Sequence, residues 1–263
     1  MKTGLTLRWA AAALTGAAAL AACSTNPITG RSQLLGLVSE GEAIQGSAKA
    51  YQQMMADLDK KQKIEKPDEK DGARVQKIQQ ITDRLIAQAI KFRPNAAAWR
   101  WEVRVINDPK TVNAFCMAGG KMAIYTGMWE QLKPTDDELA QVMGHEISHA
   151  LLDHTRERMS MARTTSLGVQ LLGAVAGVGN LGGQAMDAAA QVAITLPNSR
   201  ESEAEADAVG LQLAAHAGYD PTAAVTLWEK MAKLGGKGPE FLSTHPSPEN
   251  RAAKLKEMGA KLE

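Results

Sequence analysis

Apolar positions recur with a helical period over much of this 263-residue chain. Val75, Ile78, Ile81, Leu85, Ala89 and Phe92 fall on one face of a helix that Pro94 ends. A helix before it starts at Ser39, where Ser39 and Glu42 have capping-box spacing, and runs to about Lys60. The period then changes to two. Trp99, Trp101, Val103 and Val105 alternate with Arg100, Glu102 and Arg104, which predicts a strand over 99–106. Thr111–Phe115 and Lys121–Tyr125 read as two more short strands, with Gly119-Gly120 as the turn between them. Together the three predict a small antiparallel sheet.

Helical patterning returns at Thr135, which forms a second capping box with Glu138 and opens a helix to about Arg158. Residues 164–196 are rich in Gly, Ala, Leu and Val but carry a Gly cluster and scattered polar residues, so they read as a helical hairpin or flap. Asn198 with Glu201 caps the next helix, which Gly218 terminates. Asp220-Pro221 starts another. Gly235, Gly236 and Gly238 form a loop, and Ser247-Pro248 starts the final helix. The class is α+β, mainly helical.

Composition narrows the function. Net charge is +1, and loss of Lys2 and Arg8 with a leader brings it to about −1. That excludes a broad basic surface for nucleic acid. Lys2 and Arg8, then the short apolar run Trp9–Leu20, have the form of an export signal over residues 1–22. Leu20-Ala21-Ala22-Cys23 resembles a bacterial lipobox, in which Cys23 becomes the first residue and carries lipid. Ser24 after it favours the outer membrane. Residues 23–38 then form a lipidated tether and 39–263 a single domain. With Cys23 lipidated, Cys116 is a buried thiol.

Candidate chemistry sits in His145-Glu146-Ile147-Ser148-His149. The i, i+4 spacing puts both imidazoles on one helix face, where they can grip one metal. Glu146 lies beside the open coordination position, as a general base must. A catalytic zinc needs a third protein ligand, and a separate helix downstream offers Glu203 among several carboxylates. That helix also carries Glu201, Glu205 and Asp207. Glu203 and Asp207 share a face, which suits one ligand and one carboxylate holding a ligand histidine's other N–H. Periodicity does not say which is which. Glu201 and Glu205 project elsewhere, as solvated charge, and His154, nine residues past His145, points away from the metal face.

Ser199-Arg200-Glu201-Ser202-Glu203-Ala204-Glu205-Ala206-Asp207 resembles the S-R-x-x-E-x-x-A-D signature of HtpX and CAAX-prenyl-protease type zinc metallopeptidases, the gluzincins. The resemblance implies a zincin-like fold with one Zn2+ on His145, His149 and Glu203, and Asp207 behind them. Asn113-Ala114-Phe115 resembles the family's edge strand, whose backbone binds an extended protein or peptide substrate. His245-Pro246 and Arg251 resemble its H-P-x-x-x-x-R element, which implies His245 as oxyanion stabiliser and Arg251 as its orienting or positive partner. Where the family often has Pro-Gly-Gly, this chain has Ala118-Gly119-Gly120. The resemblance is to small, lipid-anchored periplasmic members that cleave misfolded or unassembled envelope proteins. Two other readings stand beside it: an assembly factor whose zinc site is covered, with 164–196 as the flap, and a lipoprotein with a purely structural zinc. The Cys-poor ligand set argues against the latter. Oligomeric state is not legible.

Overall fold

The structure is a computed structural model that describes residues 23–68, 72–175, 197–234, 240–246 and 250–262. The expected export signal, the Gly cluster around 177–183, the loop glycines at 235–238 and the helix start at Ser247-Pro248 lie outside them.

Strands β1 (Cys23–Thr25) and β2 (Ser32–Leu34) form an antiparallel hairpin. Helices α1 (Glu40–Lys60) and α2 (Gly72–Phe92) follow. After a 3-10 turn over Pro94–Ala98 come β3 (Glu102–Ile106), β4 (Ala114–Met117) and β5 (Lys121–Tyr125). The remaining helices are α3 (Gly127–Leu132), α4 (Asp136–Leu151), α5 (His154–Val175), α6 (Arg200–His216), α7 (Ala223–Lys233), α8 (Glu240–Thr244) and α9 (Arg251–Gly259). No helix among the described residues is long and apolar enough to cross a membrane.

The sheet is mixed, not antiparallel throughout. Its order is β3-β5-β4, with β3 parallel to β5 and β4 antiparallel to it. The physical reason is the connection. The segment between β3 and β4 carries the chain past β5's place, so the tight turn at Gly119-Gly120 inserts β5 between them. Both glycines take φ near +80°, which their lack of a Cβ permits. The alternation of 99–106 becomes a strand only from Glu102, because Trp99 follows directly on the 3-10 turn.

The predicted α2 stripe is buried. Ile78, Ile81, Leu85 and Ala89 pack with Met122 and Ile124 of the sheet, Leu139, Met143 and Ile147 of α4, and Leu213 of α6. Burial of such side chains contributes roughly 1.5–3 kcal/mol each. Helix α4 is therefore central, with every residue from Glu138 to Leu151 buried. It packs along α6 at a crossing made by glycines. A Cβ on Gly144 would stand 2.9 Å from the Gly210 carbonyl oxygen, and one on Gly210 would stand 2.7 Å from the His145 nitrogen.

Three expectations change. The single helix from Thr135 to Arg158 is two, because Asp153 adopts φ +59° after α4 ends. Ion pairs of Asp153 with Arg93 at 3.2 Å and Arg156 at 3.8 Å hold that corner. The cap of α6 is Ser199, whose hydroxyl accepts from the Ser202 N–H at 3.1 Å, which frees Asn198 to turn inward. The segment read as a polar tether folds onto the molecule: Asn26 and Gln33 are buried, and both donate to the Leu152 carbonyl at the end of α4.

Candidate metal centre

The crossing of α4 and α6 brings the two sequence motifs together. One potential ligand atom from each of His145, His149, Glu203 and His245 lies within 4.8 Å of the others, and all four residues are buried. His145 Nε2 and His149 Nε2 are 3.0 Å apart. Glu203 Oε2 is 3.3 Å from His145 Nε2, and its Oε1 is 3.2 Å from His149 Nε2. His245, at the end of α8, turns Nδ1 to within 3.0 Å of Glu203 Oε1 and 3.3 Å of His145 Nε2. Its ring stacks on Phe241, with centroids 4.3 Å apart. Nitrogen and carboxylate donors in so small a space fit a divalent metal of the zinc type, and no described cysteine joins them.

The rear atoms of the donors are held as well. His145 Nδ1 faces Asp207 Oδ1 at 3.0 Å. Arg251 bonds Glu203 Oε2 at 3.1 Å and also Asp207 Oδ1. The arginine thus braces the two carboxylates, where the resemblance implied a residue that orients His245 or adds positive charge. Asn198 Nδ2 donates to Glu203 Oε1 at 2.8 Å. Behind His149 stands the residue expected to point away: His154 Nδ1 is 2.8 Å from His149 Nδ1. Its Nε2 is 3.1 Å from Glu205 Oε2, so Glu205 is not solvated surface charge. Sequence reasoning missed His154, Glu205 and Asn198. The signals present were a third histidine close to the motif and the polar residue preceding the helix cap.

Glu146 is buried, and its Oε1 has no hydrogen-bond partner. That atom lies 3.6 Å from His245 Nε2. Burial raises the Glu146 carboxyl above its ordinary value, against the nearby His245 and His145. Burial also pushes His145 down, but Glu203 and Asp207 outweigh it and lift the imidazole to about 9. His149 is driven well below its ordinary value by burial. Glu203 is held far below the carboxylate range, because the surrounding imidazoles overcome its desolvation. Cys116 is buried and its thiol is pushed up, chiefly by desolvation and then by Glu146.

Ala114 and Phe115 lie on β4, and Asn113 immediately precedes it. β4 is an edge of the three-stranded sheet, packed on α4. Cys23 is exposed at the start of β1.

Three comparisons bear on what this arrangement is. The chain is 41% identical over 161 residues to mitochondrial metalloendopeptidase OMA1 of Schizosaccharomyces pombe, covering 60% of this chain and 46% of that one. It is 31% identical over 175 residues to metalloprotease LoiP of Escherichia coli, covering 65% and 67%. It is 29% identical over 191 residues to the beta-barrel assembly-enhancing protease of Escherichia coli, covering 68% and 37%. The chain spans less than half the length of the OMA1 relatives it matches. Residues 73–259, more than half of the sequence, match peptidase family M48, and the chain belongs to that family.

Proposed function

We propose that the chain is a zinc-dependent endopeptidase in which His145, His149 and Glu203 hold one zinc and Glu146 is the general base. The observation that carries this reading is the buried Glu146 Oε1, without a hydrogen-bond partner, beside a cluster of four donors. When bound, the metal polarises a scissile carbonyl and acidifies water. Glu146 accepts the proton of the attacking water and returns it to the leaving amine. Its raised affinity for a proton suits both steps. His245 stabilises the oxyanion through its Nε2–H, and Asp207 with Arg251 fixes the ligand carboxylate and His145. The substrate lies as an added strand on β4, along Asn113, Ala114 and Phe115.

We take residues 1–22 as a removed export signal and Cys23 as the lipidated first residue of an otherwise single peptidase domain, held at the periplasmic face of the outer membrane. The exposure of Cys23 and the two Escherichia coli relatives support this. Substrates are envelope proteins that are misfolded or unassembled, a reading that leans on the name of the beta-barrel assembly-enhancing protease. The test is Glu146→Gln. Zinc should stay bound while casein cleavage falls by roughly 10²–10⁴-fold. Cleavage at the parental rate sinks the mechanism.

One observation favours the second reading, a covered site with an assembly role. His245 Nδ1 sits in the donor cluster, where it would fill the fourth coordination position. His245→Ala separates the two: cleavage falls if His245 stabilises the oxyanion and rises if it closes the site.

A further inference from the structure

The metal cluster is joined to the N-terminal hairpin by a continuous set of buried and half-buried contacts. With His149 Nε2 turned to the donors, its Nδ1 carries hydrogen and donates to His154 Nδ1 at 2.8 Å. His154 must then carry its own hydrogen on Nε2, which donates to Glu205 Oε2 at 3.1 Å. The same oxygen accepts from Arg31 Nε at 2.6 Å. Arg31 in turn grips Glu157 on α5 with two bonds, at 2.9 and 2.6 Å. The donor directions agree along the whole chain, and the tautomer of every ring is fixed by its neighbour.

Arg31 belongs to the turn of the hairpin, between β1 and β2. Two further hairpin residues, Asn26 and Gln33, donate to the Leu152 carbonyl, an otherwise orphaned group at the end of α4. The hairpin therefore sits in the corner where α4, α5 and α6 meet, directly behind His149. His145 needs no such support, since Asp207 on α6 reaches its Nδ1 directly. His149 Nδ1 meets no carboxylate directly among the described residues and reaches one through His154.

We propose that the β1–β2 hairpin is a positioning element for the metal centre, with Arg31 fixing Glu205, Glu205 fixing His154, and His154 fixing the ring of His149. The proposal rests on the reading that His149 holds the metal. It makes the first residues after Cys23 part of the site's support, so displacement of the hairpin loosens the metal. Outer hydrogen bonds of this kind change metal affinity by roughly 10–100-fold.

The test is competition for zinc against a chromophoric chelator, together with the visible spectrum of the cobalt-loaded chain. The variants are His154→Ala, Glu205→Ala, Arg31→Ala and Arg31→Lys. Thr135→Ala, remote from the site, controls for lost stability. His154→Ala and Glu205→Ala should weaken zinc by roughly 10–100-fold and shift the cobalt bands. Arg31→Ala should act in the same direction by less, and Arg31→Lys should restore part of the loss. Affinities and spectra equal to the parent, or losses no greater than that of Thr135→Ala, overturn the proposal. His149→Ala binding zinc as tightly as the parent overturns the metal site itself, and the proposal with it.

Discussion

Glu203 and Glu205 stand two positions apart on α6 and serve different faces of the same cluster. Glu203 turns to the imidazole donors, and Glu205 turns to His154 and Arg31. The i, i+4 partner of Glu203 was legible from spacing: Asp207 lies one turn on and meets His145 Nδ1. Asp207→Ala should weaken zinc by roughly 10–100-fold in a chelator competition, and parental affinity would contradict its role. The role of Glu205 was not legible, because it depends on where His154 stands. Extrapolating α4 past Leu151 sends His154 to the far side. The left-handed turn at Asp153 sends it back, and that turn is held by Arg93, distant in sequence. A local pattern carries no trace of such a partner.

At the scale of elements, the helices that carry the donor cluster were readable from their caps. Thr135 accepts from the Glu138 N–H at 3.2 Å, and the Glu138 carboxylate accepts from the Thr135 N–H at 2.8 Å. Thr135→Ala should cost about 1 kcal/mol, measured by urea unfolding, and an unchanged midpoint would contradict the cap. Glu138 has a second task. Burial raises its pKa, but Lys230, the Thr135 N–H and Thr226 prevail and hold it below its ordinary 4.5. A carboxyl depressed on folding stabilises fully above its unfolded pKa and loses that contribution as pH falls through the folded value. The melting-temperature gap between parent and Glu138→Gln should be widest at neutral pH and close progressively below about pH 4.5. A gap independent of pH would contradict the assignment.

The α4–α6 crossing was less legible. Gly144 and Gly210 belong to no local pattern, and their purpose appears when the two backbones meet. Gly210→Ala should destabilise by roughly 1–3 kcal/mol and also loosen the metal, since the added methyl pushes on His145. Sheet order escaped the pattern for a related reason. Alternation identifies strands but not neighbours, so the parallel β3–β5 pair had no signature.

At the scale of the molecule, a metal would tie α4, α6 and the end of α8 into one unit, and the N-terminal hairpin closes the corner behind it. Binding to the folded chain alone stabilises it by roughly 3–4 kcal/mol at 100–1,000 times the dissociation constant. Chelation should therefore lower the melting temperature, and zinc should restore it. The central claim is a zinc held by His145, His149 and Glu203 with Glu146 as base. Metal content and casein cleavage, measured on the same preparations of the parent chain and Glu146→Gln, test it most directly. The account predicts about one zinc per chain in both, with cleavage in the parent only. Cleavage retained by Glu146→Gln, or cleavage by a parent chain stripped of metal, would contradict it.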